Sequence, residues 1–345
     1  MDFQAAILTE LNTPLLVETI SSSDLKYGQV MVDLKTSGIC GAQLNEIAGV
    51  KGPDKFLPHL MGHEGGGVVV AVGDGVSKVK PGDQVVLHWR PGSGLVCPFP
   101  SFKWDDRNVG AGLVSTFSQY SIVAENRVTA VDKALSFESA ALLGCSTTTA
   151  LGIVSREAKI EVGQSVLVGG GGGLGLSIAQ AAKLVSANPI TVFEKNKDKE
   201  DLVLKNGADN FLACELEALE SETKSIVGST GYDLAIDTTG NLSVINTLFG
   251  CLAKDGTLML VGQPRTGSTL NLTDPLRLFS NRKIVASDGG LTDPDIDIPR
   301  YTNLILSNKI NLESIITHRF ELSQVNEALE VVRSGIAGRV TLNTG

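Results

Sequence analysis

A chain of 345 residues is long enough for two domains of ordinary size, or for one domain inserted in another. With 42% hydrophobic and 19% charged residues it can build its cores without staples, which excludes a disordered protein or a small module. The 38 acidic residues outnumber the 29 basic ones, and a net charge of −9 disfavours nucleic acid and anionic membrane as partners.

No apolar run approaches the roughly 20 residues of a bilayer span, and the start MDFQAAILTE has no signal-peptide pattern, so a cytoplasmic chain is expected. The five cysteines, at 40, 97, 145, 214 and 251, are odd in number and widely spread, as reduced thiols are.

In chain order, the segments QAAILTE, QVMVDLKTSG, GGVVVAVG, DQVVLHW and FSQYSIVA are short, β-branched and separated by turn signals such as KPGD and RPGSG. Residues 1 to about 145 therefore read as a β-rich, barrel-like domain. From about 146, SVLVGG, LGLSIAQAAKLVSA, PITVFE, KDKEDLVLKNG, YDLAIDTT, SVINTLFGCLA and GTLMLVG alternate strand and helix patterns. That alternation predicts an α/β chain with a doubly wound parallel sheet. Helical patterns at 299–308 and 323–334 and a last strand, GRVTLNT, complete the sequence; periodicity alone does not say which domain they join.

The strand SVLVGG runs into Gly170-Gly171-Gly172-Gly173-Leu174-Gly175 and then an apolar-periodic helix, which is G-x-G-x-x-G in a strand, turn, helix setting. Glycine is needed there because a Cβ would hold the backbone away from a pyrophosphate, and the helix offers that anion its free N–H groups. Glu194 closes the next strand, 19 residues after Gly175, where a carboxylate accepts from ribose hydroxyls and repels a 2′-phosphate. This favours NAD(H) over NADP(H). Lys195, Lys197 and Lys199 would tolerate the extra phosphate, but they read as the solvated start of a surface helix.

There is no C-x-x-C pair, so a zinc ribbon or finger is excluded. Cys40, His63 and Cys145 each have an ordinary structural reading when taken singly: small apolar position, turn residue and buried thiol. Only their combination would make a metal site, assembled from distant segments.

The order SGICGAQLNEIAG, PHLMGHEGGGVVVAVGDGVSKVKPGDQVV, AALLGCSTTTALG and VLVGGGGGLGLSIAQAAK resembles the zinc-containing medium-chain dehydrogenases, over nearly the whole chain. The resemblance implies a GroES-like catalytic domain of residues 1–145 and 289–345, with a Rossmann domain of residues 146–288 inserted in it. It implies that Cys40, His63 and Cys145 hold one catalytic Zn²⁺, with Glu64 the neighbouring carboxylate that approaches or transiently binds it. It places Thr149 near a nicotinamide, Gly170, Gly172, Gly173, Leu174 and Gly175 around the pyrophosphate, and Glu194 with Lys199 around the adenosine ribose. Val261 would meet the carboxamide through its backbone, and Arg339 would lie near the pyrophosphate. The implied activity is hydride transfer between NAD(H) and an alcohol, polyol or sugar hydroxyl, in a homodimer or homotetramer.

The sequence departs from that family in two places. The stretch HWRPGSGLVCPFPSFKWDDRNVGAG holds only Cys97 where a structural zinc would need four cysteines, so no structural zinc is expected. A shorter loop packed through Trp89, Phe99, Phe102 and Trp104 is expected instead. Ala42 and Asn45 stand where many relatives carry a relaying hydroxyl and a histidine, and Gln43 replaces an aspartate that orients the metal-binding histidine. Water, Glu64 or a substrate hydroxyl would then carry the proton, with His59 and His88 as outside candidates. The missing hydroxyl keeps open an NAD(P)H-dependent reductase of an activated C=C or C=N bond, and a dinucleotide-binding protein without catalysis is a further alternative.

Overall fold

The computed structural model describes all 345 residues, and they form two compact units, residues 1–148 with 293–345 and residues 149–292. The first unit is β-rich. Strands Asp2–Leu8, Leu16–Ser22, Ser101–Trp104, Arg107–Gly110 and His59–Leu60 close a small barrel around Phe3, Ile7, Ile20, Phe102 and Trp104. A seven-stranded sheet is ordered Val128–Ala130, Gln84–Leu87, Gly65–Val72, Gln29–Ile39, Arg339–Asn343 and Ile316–Glu321, with Tyr120–Ala124 also on Gln29–Ile39. Gln29–Ile39 is its organising strand, buried along almost all of its length because it pairs on both sides. The C-terminal strand pairs antiparallel with it, Val340 against Ile39 and Thr341 against Gly38, so the tail packs in this unit.

Four strands of the barrel escape the sequence reading, the two-residue His59–Leu60 among them. Leu16–Ser22 is mostly solvated and shows no apolar alternation, while Ser101–Trp104 and Arg107–Gly110 are four-residue strands. Phe102 and Trp104 pack inward from that hairpin as expected, but Phe99 is 58% exposed and takes no part.

The second unit is a six-stranded parallel sheet ordered Asn210–Leu212, Ile190–Phe193, Val166–Gly169, Tyr232–Asp237, Leu252–Leu260 and Lys283–Ala286. Val166–Gly169 is wholly buried, and the order turns back on either side of it, which sets the switch point of a doubly wound fold beyond its carboxyl end. Leu167, Tyr232, Ala235, Leu248, Phe249 and Leu258 fill one side of the sheet. The alternation read from the sequence is thus a Rossmann-type unit, and the segments before it belong to the β-rich one. No single helix is long and apolar enough to cross a membrane.

Candidate metal centre and nucleotide loop

In the first unit three chain segments converge. Cys40 follows strand Gln29–Ile39 and precedes the short helix Gly41–Ile47; His63 lies in the turn between His59–Leu60 and Gly65–Val72; Cys145 lies between helices Phe137–Leu143 and Ser146–Gly152. The turn at His63 needs glycine at 62, where φ is +91° and a Cβ would sit 2.4 Å from Thr116 Oγ1. The two thiol sulfurs and an imidazole nitrogen lie within 4.8 Å of one another. Residues remote in sequence thus make one soft donor set, suited to a tetrahedral ion with a fourth position open.

The electrostatics of the three are coupled. The Cys145 thiol hydrogen-bonds the Cys40 sulfur and holds Cys40 well below the usual thiol range, with His63 helping. The same bond, with burial, pushes Cys145 well above it. Burial pulls His63 down most strongly of any single cause, but its hydrogen bond to Cys40 and the negative charges of Cys40, Glu64 and Glu46 together outweigh that, and the ring is held above its ordinary value. A site that already favours one thiolate attracts a cation.

Glu64 is next to this set but outside it. Its carboxylate is fully buried, ion-paired with Arg339, and accepts from the Ser146 backbone N–H at 3.3 Å. The space it fills is bounded by Gly38, whose Cβ would meet Oε1 at 2.5 Å, and by Gly144, whose Cβ would meet the Glu64 Cβ at 2.8 Å. Burial pushes the Glu64 carboxyl up, against the pull of Arg339. Arg339 therefore faces Glu64, 275 residues away, and its Nε has no partner. That pairing has no signal in sequence spacing.

Of the outside candidates, His59 is buried against Asp54 at 3.0 Å and lies 4.0 Å from Glu46. His88 bonds the Arg90 carbonyl oxygen and Thr129 Oγ1, and burial lowers it to about 4. Neither belongs to the three-donor cluster.

In the second unit, Gly170 takes φ +103° and Gly172 caps helix Gly173–Leu184, which carries Leu174 in its first turn. A Cβ on Gly175 would stand 1.9 Å from the Gly170 carbonyl oxygen, so the loop closes only on glycine, whereas nothing lies within 4 Å of a Cβ on Gly172. A tight turn with an open face at a helix N-terminus fits a pyrophosphate. Glu194 accepts from the Gly171 N–H at 2.9 Å and the Asn196 N–H at 3.0 Å, leaving lone pairs for a ribose. Lys195 and Lys197 are exposed, but Lys199 is buried with Nζ 3.9 Å from Glu194 Oε2, which corrects the reading of all three lysines as solvated. Burial lowers the Lys199 ammonium from its usual range. Thr149 is buried on helix Ser146–Gly152, and the Val261 N–H donates to the Asp237 carbonyl at the end of the neighbouring strand.

The zinc-binding dehydrogenase family matches residues 173–306, and the alcohol dehydrogenase GroES-like domain matches residues 26–133. The alcohol dehydrogenase class-3 of Cereibacter sphaeroides is 30% identical over 97% of this chain and 98% of its own. The S-(hydroxymethyl)glutathione dehydrogenase of Paracoccus denitrificans is 29% identical, again over 97% and 98%. Among solved structures, a benzyl alcohol dehydrogenase from Acinetobacter calcoaceticus superposes with a TM-score of 0.90 at 22% identity, covering 100% of both chains. A 2R,3R-butanediol dehydrogenase from Bacillus subtilis gives 0.79 at 22% identity, covering 99% of this chain and 100% of that one.

Proposed function

We infer the activity from the premise that this chain belongs to the zinc-containing medium-chain dehydrogenase/reductase superfamily, as a zinc-dependent alcohol dehydrogenase acting on small-molecule alcohols. The observation that carries the reading is the meeting of Cys40, His63 and Cys145 within 4.8 Å. These three would hold a single Zn²⁺, and Cys97 is not part of any such donor group. Bound there, the ion supplies Lewis acidity that makes an alcohol proton easier to lose and a carbonyl easier to reduce.

The chain's own residues do the rest. The glycines at 170, 172, 173 and 175, with Leu174, seat the pyrophosphate, and Glu194, steadied by Lys199, takes the ribose hydroxyls and repels a 2′-phosphate. The cofactor is therefore NAD(H). Thr149 and the Val261 backbone would hold the nicotinamide, which when bound would supply the hydride acceptor for alcohol oxidation. Ala42 supplies no hydroxyl, so the alcohol proton leaves through water. The buried Arg339 balances Glu64 beside the ligands and keeps that carboxylate off the ion. The enzyme works as a homodimer or homotetramer in the cytoplasm, in keeping with five free cysteines and with the exposed apolar edge of the second unit.

Initial rates with NAD and NADP test this, over primary, secondary and polyhydroxylated alcohols and over S-(hydroxymethyl)glutathione, which names the Paracoccus relative. We expect turnover of an alcohol with kcat/KM at least about tenfold higher for NAD. Equal efficiency with NADP would contradict the nucleotide assignment. Reduction of enals or imines with no alcohol turnover would contradict the reaction, and would favour the reading that Ala42 leaves open.

A further inference from the structure

Gln43 is 1% exposed and touches two of the groups that flank the ion site. Its Oε1 accepts the Cys40 backbone N–H at 2.9 Å, and its Nε2 faces His63 Nδ1. A side-chain amide has one accepting end and one donating end. The backbone N–H of Cys40 only donates, so it requires the oxygen; turning the amide over would set two donors against each other in a buried place. The orientation is therefore fixed by chemistry, and the end presented to His63 is a donor.

A neutral imidazole carries one proton. Because Nδ1 accepts from Gln43, the single proton of the neutral ring sits on Nε2, the nitrogen left for a metal. A metal needs the lone pair of that nitrogen, and a metal-bound histidine normally donates its other N–H to a carboxylate, carbonyl or water. Here the other nitrogen meets a donor.

We propose that Gln43 is a positioning residue that holds His63 in the tautomer a metal ion cannot use, so that the Gln43 amide, wedged between Cys40 N–H and His63 Nδ1, sets how tightly this centre keeps its zinc. The inference rests on the metal-site reading above. Uptake of the ion moves the imidazole proton to Nδ1 and leaves one of the two hydrogen bonds to Gln43 unmade. The ion is consequently more exchangeable than one whose histidine donates to a carboxylate. A glutamate at 43 has the same length, accepts from both groups, and removes the conflict.

Histidine tautomers are read directly by ¹⁵N NMR, and with only four histidines in the chain the spectrum is simple; His63→Asn identifies the signal. At a pH high enough for the ring to be neutral, we expect His63 protonated on Nε2 in metal-free wild type and on Nδ1 in metal-free Gln43→Glu. In chelator competition Gln43→Glu should bind Zn²⁺ at least about tenfold tighter, the effect typical of groups that orient metal ligands. The added charge alone would tighten binding without moving the tautomer, so the two readouts together are required. His63 already protonated on Nδ1 in metal-free wild type, or zinc bound no tighter by Gln43→Glu, would overturn the proposal. His63 signals that ignore added zinc in wild type would overturn the metal-site reading instead.

Discussion

The Glu64–Arg339 pair shows how much a single buried charge controls near the ligands. Both side chains are removed from water, at 0% and 4% exposure, so each depends on the other. Replacing Arg339 with Met leaves a buried carboxylate beside two thiols, and urea unfolding should show a loss of about 3 kcal/mol or more. Adding Glu64→Gln should recover most of it; a double variant as unstable as the single would show that Arg339 acts by packing alone. The residue types at the ion site were legible, because Cys40, His63 and Cys145 sit in segments with a specific resemblance. Their immediate surroundings were not. The Arg339 partner lies across 275 residues, and the two-sided engagement of Gln43 depends on side-chain direction that no spacing encodes.

Elements were legible where burial is strong and patterned. The strands at Gly65–Val72, Val166–Gly169 and Tyr232–Asp237 and the helix Gly173–Leu184 stand where their apolar runs put them. The hairpin Ser101–Gly110 and the solvated strand Leu16–Ser22 owe their existence to partners in the barrel, which a local window does not contain. The lobe without structural cysteines is anchored by carboxylates. Glu125 accepts from the backbone of Ser77, Lys78 and Leu95, and Asp295 takes Lys78 and the Ser93 N–H. The strand Lys283–Ala286 ends its sheet with one side unpaired, and Leu276, Leu278, Phe279 and Val285 beside it are exposed, Phe279 by 89%. Such an edge invites pairing with a second copy. If this edge carries the proposed assembly, Phe279→Asp should lower the mass found by light scattering coupled to size exclusion relative to wild type; an unchanged mass would contradict an interface at this edge.

At the scale of the molecule, a β-rich unit holds the donor set and a doubly wound unit holds the glycine loop, and the chain leaves the first and returns to it after residue 292. Periodicity left that return undecided, because a helix pattern carries no address; the antiparallel pairing of Val340 with Ile39 fixes it. The account depends on the first unit gripping an ion through residues 40, 63 and 145. Metal content per chain, taken with alcohol-dependent NAD reduction for wild type and Cys40→Ser, tests this most directly. We predict one zinc per wild-type chain and, in the variant, loss of most of the zinc together with at least a hundredfold loss of turnover, on the order expected when a metal ligand is removed. Wild-type turnover in Cys40→Ser, or full activity in a wild-type chain stripped of zinc, would contradict it.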